Sequence, residues 1–329
     1  MIMPRYFRKV IHISAEDSPN VRWAKKEIAE GKKPTNRILL GGVVTWADYC
    51  KRRKLWDEVR QCISLDGKFW KGAELLMFPP VWLNLAEQLA GNGFVKVSNS
   101  VRKTMGIDTA QGGDNTAWAI ACHQGLVALV SRKTPDTSVI PGLTLAMMNQ
   151  YGIAAEDVLF DRGGGGKEHA DRLRRQGHNV GTVMFGEPAT PEPKLYKEFT
   201  PGQERIEQIE QRTRFKNRRA EMYWCLRQKL EPIDEDGNHK PTFAMPGAII
   251  NKARQDGGPS LRRQLSKIPL DMDDEGRIYV RPKGRSNTMD KNDKTLVQLI
   301  GCSPDEADAV VMAVFRLTHQ PTSFEVTAI

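Results

Sequence analysis

The stretch that decides the predicted fold covers residues 101–134, VRKTMGIDTAQGGDNTAWAIACHQGLVALVSRKT. Three short apolar runs in it are separated by two turn signals, Gly112-Gly-Asp-Asn115 and Gly125. This pattern is typical of three antiparallel strands joined by tight turns. The first run ends in Met105-Gly-Ile-Asp108, so we expect the Asp108 carboxylate at the edge where the sheet opens to solvent.

A strand–helix–strand pattern follows these three runs. Residues 157–160 read as a buried strand, residues 168–176 as a helix and residues 179–184 as a second strand. Two strands joined through a helix run parallel. We therefore predict an α/β fold, in which an antiparallel meander continues into parallel strands and the mixed sheet is flanked by helices.

The C-terminal part of the chain carries weaker signals. We expect a proline-rich connection over residues 187–201 and a long helix over 215–230. A shorter basic helix over 259–268 and a hairpin over 270–280 come next. A polar, basic and mobile loop is expected over 281–294, and a last helix over 304–317.

The first 97 residues have a different character. Four tryptophans fall there, and this density indicates a small packed α+β segment: Trp46, Trp56, Trp70 and Trp82. Short strands are expected at residues 10–13 and 75–80, and helices at 23–29, 45–63 and 81–89. Gly91-Asn-Gly93 marks a boundary. We therefore expect two parts, 1–97 and 98–329.

Composition restricts the class of protein. With 329 residues, 40% of them hydrophobic, the chain can bury a real core, and its net charge of +9 favours a polyanionic partner such as nucleic acid. There is no run of eighteen apolar residues and no secretory signal, so we expect no membrane contact. The five cysteines and six histidines lack metal-ligand spacing, so we expect reduced thiols and no zinc site.

Asp161 is a second candidate acid, in Leu159-Phe-Asp-Arg-Gly-Gly-Gly-Gly166. Glycines before a helix can cradle a phosphate. The P-loop pattern fails here, however, because it requires glycine where Asp161 stands and serine or threonine where Glu168 stands. The dinucleotide-binding pattern is weak as well, since the preceding strands form a meander. Asp161 is either a functional acid at a strand end or a turn residue that bonds its own backbone.

A third group of acids opens the last predicted helix. Ser303 is the expected N-cap, and Glu306 is expected to close a capping box. Asp305 is accounted for as a first-turn acid, favoured by the helix dipole. Asp308 is not, because it lies on the apolar stripe of the helix with Val311, Met312 and Phe315. A carboxylate there is costly unless a cation meets it.

These acids are expected to converge. Asp108 and Asp161 both end strands, and Asp308 faces inward from a helix packed on the same sheet, with Asp305 one turn away. Clustered carboxylates repel each other unless cations neutralise them, and hard oxygen ligands suit Mg²⁺ or Mn²⁺. Two such ions about 4 Å apart hydrolyse phosphodiesters in known nucleases. A basic chain with this group of acids is a plausible metal-dependent nuclease.

Five segments together resemble the nuclease domain of phage terminase large subunits, which has an RNase H-like fold. They are Met105-Gly-Ile-Asp108, Leu159-Phe-Asp161 with its glycines, Asn217-Arg-Arg-Ala-Glu-Met-Tyr-Trp-Cys-Leu-Arg227, Gly276-Arg-Ile-Tyr-Val-Arg-Pro-Lys283 and Ser303-Pro-Asp-Glu-Ala-Asp-Ala309. The resemblance implies that Asp108, Asp161 and an acid of the 305–308 segment bind two Mg²⁺ or Mn²⁺ ions. The buried face of the helix favours Asp308, with Asp305 as a fourth ligand.

The resemblance also implies a biological role. The chain would be an endonuclease that cuts concatemeric viral DNA during genome packaging in the host cytoplasm. Its partners would be double-stranded DNA, the portal protein and the small terminase subunit. Terminase large subunits carry an ATPase region with Walker motifs, and no G-x-x-x-x-G-K-[ST] occurs here. Residues 1–97 resemble only the end of that region, so the packaging ATPase is expected in another domain or chain.

Two basic clusters are candidates for DNA contacts. One consists of Arg172, Arg174 and Arg175, and the other of Arg212, Arg214, Lys216, Arg218 and Arg219. Arg162 and Lys167, beside the glycine run, are further candidates. Each cluster is equally well explained as a solvated helix face. Contacts with the phosphate backbone would give salt-sensitive binding without sequence readout.

Two alternatives to a terminase nuclease stay open at this point. Another RNase H-like nuclease, such as a Holliday-junction resolvase, also has an acid at a strand end and a closing Asp-x-x-Asp. A docking module of the packaging motor, with acids that no longer bind metal, would have no nuclease activity. Metal-dependent nicking of plasmid DNA separates the docking module from both enzymes.

Overall fold

The structure is a computed structural model. It describes residues 13–56, 61–68, 75–91, 100–190, 193–200, 203–210, 214–232, 243–273, 275, 277–285 and 293–319, with only the backbone at 55, 63, 193–200 and 203–210. The chain divides into two compact units, Met1–Leu75 and Leu76–Ile329. This division precedes the boundary expected at residue 97, because Met77, Trp82 and Leu83 are buried in the core of the second unit. The relation of residues 1–97 to an ATPase region stays a prediction.

The first unit has a small core of its own. Its helices α1 (Pro19–Ala29) and α2 (Trp46–Leu55) pack around Val21, Tyr49 and Leu65. The helix predicted over 45–63 stops at Leu55, and a single π-helical turn follows at Gln61–Leu65. The strand predicted at residues 10–13 lies outside the described residues apart from Ile13, which is not in a strand.

The second unit is built on a five-stranded sheet. Its strands are β1 (Lys103–Asp108), β2 (Asn115–Cys122), β3 (Gly125–Lys133), β4 (Val158–Asp161) and β5 (Gly181–Val183), in the order β3-β2-β1-β4-β5. The first three pair antiparallel, whereas β4 pairs parallel with β1 and with β5. The predicted mixed sheet, a meander continued by parallel strands, is therefore confirmed.

Eight helices are described in this unit. They are α3 (Pro80–Gly91), α4 (Ile140–Tyr151), α5 (Gly166–Arg175), α6 (Arg218–Leu230), α7 (Gly247–Ile250), α8 (Leu261–Leu265), α9 (Leu296–Ile300) and α10 (Asp305–Thr318). Helices cover both faces of the sheet, as predicted. No helix of the described residues is long and apolar enough to cross a membrane.

The alternation of residues along β2 sorts the two layers of the core. Ala117, Ala119 and Ala121 lie on the face covered by α10 and α6. These small side chains let α10 approach the sheet closely. Trp118 and Ile120 lie on the opposite face, in a cluster shared with α4 and α5. Successive side chains of a strand point to opposite faces of the sheet, so the residues of β2 are buried alternately in one layer and in the other.

Two hairpins complete the described backbone. β8 (Asp271–Met272) and β9 (Ile278–Tyr279) form the hairpin expected over residues 270–280. The prediction of an irregular proline-rich connection over residues 187–201 is wrong, because β6 (Pro193–Thr200) and β7 (Gln203–Glu210) pair antiparallel there. Charged residues within both strands obscured the alternation. Pro201-Gly202 between them was the turn signal that could have revealed the hairpin.

The capping box predicted for the last helix is also wrong. Pro304 is the N-cap of α10, and no side chain caps the helix from that position. Instead, Gln264 reaches over from α8: its Oε1 accepts a hydrogen bond from Ala307 N at 3.2 Å, and its Nε2 donates to Glu306 Oε2 at 3.0 Å. Glu306 is therefore buried, with 5% of its surface exposed, against a neighbouring helix. Burial raises its pKa to about 7, although Arg254 opposes the shift.

Gly106 allows the closest approach between the sheet and α10. A Cβ atom at this position would lie 2.2 Å from Ala309 O and 2.5 Å from Ala313 N, both in the α10 backbone. We expect Gly106→Ala to lower the free energy of unfolding by about 1–3 kcal/mol, because helix and strand must separate to admit the methyl group. Urea unfolding followed by circular dichroism measures the loss. Gly113→Ala is the matched control, since a Cβ there meets nothing within 4 Å. Equal stability of the two variants would contradict the tight packing.

Glu306 should make stability depend on pH. Its pKa rises from 4.5 to about 7 on folding. The protonated form is therefore favoured by the folded state, and its contribution is complete below pH 4.5 and lost as the pH rises to about 7. We expect Glu306→Gln to gain stability relative to the wild type over that interval. Urea unfolding at pH 4.5 to 8.5 measures the difference, and Glu168→Gln, on the surface of α5, controls for loss of a charge. A difference that does not change with pH would contradict the shift.

Candidate metal centre

Two strand ends place two of the predicted acids at one edge of the sheet. Asp108 is the last residue of β1 and Asp161 the last of β4. The two strands are parallel neighbours, with Ile107 opposite Phe160, so both acids point out of the same end of the sheet. The N-terminus of α10 reaches the same place, because that helix packs across β1 and β2.

Lys283 lies among three of these carboxylates. Its Nζ is 3.0 Å from Asp108 Oδ2, 2.9 Å from Asp308 Oδ2 and 3.6 Å from Asp305 Oδ1. Burial alone would lower the pKa of Lys283, but Asp108 and Asp308 raise it well above its ordinary value. The structure thus brings together Asp108, Asp305 and Asp308 around one ammonium group.

Sequence reasoning gave Lys283 no role. It falls in residues 281–294, which were expected to be a polar, basic and mobile loop. The described start of that segment is anchored instead: Arg281 is 5% exposed, and its Nε donates to Asp271 Oδ2 at 2.6 Å. The available signal was the position of Lys283 at the end of Gly276-Arg-Ile-Tyr-Val-Arg-Pro-Lys283, one of the segments that carried the resemblance.

Asp308 is the most completely bonded acid of the centre. It has no exposed surface. Arg219 Nη2 donates to Oδ1 at 2.9 Å and to Oδ2 at 3.0 Å, and the Tyr223 hydroxyl donates to Oδ1 at 2.7 Å. Burial alone would raise the pKa of Asp308, but Arg219 and Lys283 hold it below its usual value. The prediction that a cation must meet this carboxylate holds, with Arg219 and Lys283 as the cations.

Asp108 and Asp305 are buried with fewer partners. Asp108 is 4% exposed, and burial raises its pKa to about 8, against Lys283 and with the help of the nearby acids. Asp305 is 3% exposed, and burial likewise raises its pKa. Within the described residues Asp305 Oδ2 has no hydrogen-bond partner, and Arg254 Nη1 lies 3.8 Å from it. Both acids therefore have capacity to bind a further cation.

Asp161 was predicted to be either a functional acid at a strand end or a turn residue that bonds its own backbone, and the structure shows features of both. Its Oδ1 accepts a hydrogen bond from Gly163 N at 3.2 Å, which is the turn predicted as the alternative. The carboxyl group is also near enough to the cluster to raise the pKa of Asp108, and its own pKa is raised by burial. The structure therefore makes Asp161 a turn residue and a neighbour of the other acids at once.

The glycines after Asp161 are required because the loop backbone packs too closely against its neighbours to admit a side chain. A Cβ at Gly166 would lie 1.8 Å from Asp161 O, and a Cβ at Gly164 would lie 2.0 Å from Thr109 O. Gly164 also has φ +55°, which favours glycine. Thr109 Oγ1 donates to Gly163 O at 3.0 Å, so the loop after β4 is held against the end of β1. These glycines fold the Asp161 loop onto the residue after Asp108.

The donors at this edge suit a hard divalent cation. Carboxylate oxygens are the ligands that Mg²⁺ and Mn²⁺ take in proteins, and Lys283 already places a positive charge among three of them. As they stand, no three or more histidine, cysteine, aspartate or glutamate side chains of the described chain form a group that could hold a metal ion. The carboxylates therefore fit a divalent cation in ligand type and in charge. In this structure the ammonium group of Lys283 supplies the positive charge among them.

The basic residues predicted to contact DNA fall into two groups. Arg162, Lys167, Arg172, Arg174 and Arg175 are exposed on α5 and on the loop before it. Within this group, Arg162 Nη1 donates to Glu187 Oε1 at 2.6 Å and Arg174 Nη1 to Asp171 Oδ1 at 3.0 Å. These residues remain available at the surface near Asp161.

The second basic cluster, for which DNA contacts and a solvated helix face were equally good explanations, has one buried member. Arg219 is buried against Asp308 and does not lie on an exposed helix face. Arg218 Nη1 donates to Thr190 Oγ1 and to Glu221 Oε2. Two residues are only partly exposed and lie over aromatic rings: Arg214 over Trp224 at 4.8 Å and Lys216 over Tyr279 at 4.8 Å. Arg212 lies outside the described residues.

Comparison with known proteins finds similarity in structure. No protein-family model matches the sequence, and no curated protein matches it. The nuclease domain of the large terminase subunit gp2 of bacterial virus Sf6 aligns over 75% of this chain and 100% of its own, with 17% identity and a TM-score of 0.51. A mutant of that domain with manganese and beta-thujaplicinol has the same coverage, with 16% identity and a TM-score of 0.53.

A more distant similarity is found to a second nuclease domain. The large terminase nuclease domain of Thermus phage P74-26 aligns over 68% of this chain and 84% of its own, with 12% identity and a TM-score of 0.40, which is too low to support an argument. At the identities of the Sf6 domains the similarity establishes the fold and not the activity. The chain therefore has the RNase H-like fold of the nuclease domains of phage large terminase subunits.

Proposed function

We propose that the chain is a metal-dependent endonuclease that hydrolyses phosphodiester bonds of double-stranded DNA, as the nuclease part of a phage large terminase subunit. The observation that carries this proposal is the cluster of buried acids at the edge of the sheet, neutralised by Lys283. Burying several carboxylates together is costly, and a fold gains nothing from it unless the acids bind a cation. A mutant of the Sf6 nuclease domain, which shares the fold, has been solved with manganese.

Asp108, Asp161, Asp305 and Asp308 are the residues that would hold the ions. A pair of divalent cations, when bound, activates water and stabilises the leaving oxygen. The protein's own contribution is to fix the acids on rigid elements: two strand ends and the first turn of α10. Lys283 is partly exposed, with 32% of its side chain open to solvent, so its ammonium group can give way to a metal ion and still lie beside a bound phosphate.

The DNA would approach over the surface next to Asp161. Arg162 and Lys167 are exposed there, and Arg172, Arg174 and Arg175 extend the positive charge along α5. Such side chains neutralise backbone phosphates without reading the bases, so binding should be salt-sensitive and independent of sequence. The net charge of +9 supports the same kind of partner.

The biological setting follows as part of this proposal. The substrate would be concatemeric viral DNA, cut during packaging in the host cytoplasm. The chain would work with the portal protein, the small terminase subunit and a packaging ATPase in another domain or chain. Incubation with plasmid DNA and with a four-way junction, each with Mg²⁺ or Mn²⁺, tests the activity. Cleavage restricted to the junction would favour a resolvase, and no cleavage of either would favour a docking module.

Asp108→Asn should abolish plasmid nicking. The amide keeps the shape of the side chain but replaces a charged metal ligand with a neutral one, so the fold should persist while catalysis is lost. Nicking is measured at saturating Mn²⁺, and circular dichroism confirms folding. Asp171→Asn, which neutralises a carboxylate on the surface of α5, is the matched control and should nick at the wild-type rate. Wild-type nicking by the Asp108 variant would rule out this acid as a ligand.

Lys283→Met should make the protein more responsive to metal. Without the ammonium group the acids repel each other, so the metal-free melting temperature should fall. Millimolar Mn²⁺ should then raise it by more than in the wild type, because the ion binds the native state alone. Thermal melting with and without Mn²⁺ measures both values, with Lys252→Met, at an exposed site, as the control. An Mn²⁺ response equal to that of the wild type would show that Lys283 does not occupy the place of the cation.

A further inference from the structure

Helix α6 holds Asp308 with two side chains. Arg219 and Tyr223 are four residues apart, so they lie on the same face of the helix. Both point at the Asp308 carboxylate: Arg219 Nη2 lies 2.9 Å from Oδ1 and 3.0 Å from Oδ2, and the Tyr223 hydroxyl lies 2.7 Å from Oδ1. We call this arrangement of Arg219, Tyr223 and Asp308 the α6 clamp.

The α6 clamp is buried. Tyr223 and Asp308 have no exposed surface, and Arg219 is 8% exposed. The Arg219 guanidinium also lies over the ring of Phe185, 5.0 Å from its centroid. Buried hydrogen bonds to a charged group are strong and directional, so they fix the rotation of the carboxylate.

The two oxygens of Asp308 are therefore not equivalent. Oδ1 accepts from Arg219 and Tyr223, which both belong to the buried helix. Oδ2 accepts from Arg219 as well, but its other contact is the ammonium group of Lys283 at 2.9 Å, which also bonds Asp108. Oδ2 is thus the oxygen turned toward the other acids, and among the described residues Lys283 is its one contact with a partly exposed side chain.

We propose that Arg219 and Tyr223 are positioning residues, which orient Asp308 so that Oδ2 is the single oxygen of this carboxylate presented to a divalent cation. This inference rests on the proposed nuclease function. In this role Arg219 orients Asp308 inside the protein and does not contact DNA. Hydrogen-bonded partners of metal-binding side chains commonly set metal affinity and activity in this way.

Arg227 provides a matched control on the same helix. It is as buried as Arg219, at 7% exposed, but its Nη1 donates to the backbone oxygens of Leu76 at 3.1 Å and Met77 at 2.6 Å. Replacing it with lysine disturbs the packing of α6 without touching the acids. A purely structural role of Arg219 predicts the same behaviour for both arginines, whereas a positioning role predicts different behaviour.

The experiment measures Mn²⁺ binding by calorimetry without DNA, and kcat and KM for plasmid nicking. Variants are Tyr223→Phe, which removes only the hydroxyl, Arg219→Lys, which keeps the charge, and Arg227→Lys. We expect the Kd for Mn²⁺ to rise on the order of 10-fold in the first two, with a similar fall in kcat and an unchanged KM. Arg227→Lys should lower the melting temperature but leave the Kd at the wild-type value.

Three results would overturn the inference. Wild-type Mn²⁺ affinity in Tyr223→Phe and Arg219→Lys, with only a lower melting temperature, would make the α6 clamp structural. A raised KM with unchanged Mn²⁺ affinity in Arg219→Lys would return this arginine to DNA binding. If the wild type itself neither binds Mn²⁺ nor nicks DNA, the proposed function fails, and the inference fails with it. The first two leave the nuclease function intact, so the two failures are distinguishable.

Discussion

The contact of α10 with β1 over Gly106 brings Asp108 and the acids of α10 to the same edge of the sheet. Without a Cβ at that position, the backbone of α10 at Ala309 and Ala313 comes directly against the strand. Asp108 follows Gly106 by two residues, and Asp308 immediately precedes Ala309. One close backbone contact therefore brings a strand end and the first turn of a helix together. The alanines of β2 extend the same close approach to the next strand.

This packing creates an electrostatic difficulty that the surrounding elements resolve. Several carboxylates are removed from water, and each would be destabilising alone. Arg219 from α6, Lys283 from the segment after β9 and Arg254 from the loop between α7 and α8 supply positive charge at hydrogen-bonding or ion-pair distance. Compensation is unequal: within the described part of the chain, both oxygens of Asp308 accept hydrogen bonds, whereas one oxygen of Asp305 has no hydrogen-bond partner. The charge balance of the site therefore leaves room for a further cation.

Residues that work together here come from distant parts of the chain, which explains what sequence reasoning missed. Asp108, Asp161 and Asp308 stood out because each breaks a local pattern, at the end of an apolar strand or on the apolar stripe of a helix. Lys283 and Arg219 break no local pattern. A lysine in a basic segment and an arginine in a basic helix resemble ordinary charged residues exposed to solvent. Glu306 was misread for the same reason: the capping rule is local, but Gln264 from another helix meets the start of α10.

The sequence by itself determined the order of the strands along the chain, their antiparallel and parallel pairing, and the acids that end them. Periodicity and turn residues are local, so they can be read from neighbouring positions. Only the tertiary structure decided that Lys283 lies among the carboxylates, that Arg219 is buried and not exposed, and that Asp305 and Asp308 differ in their bonding. These outcomes depend on contacts between segments as far apart in sequence as residues 108 and 283. Local sequence patterns do not indicate which acidic side chain will pair with which basic one.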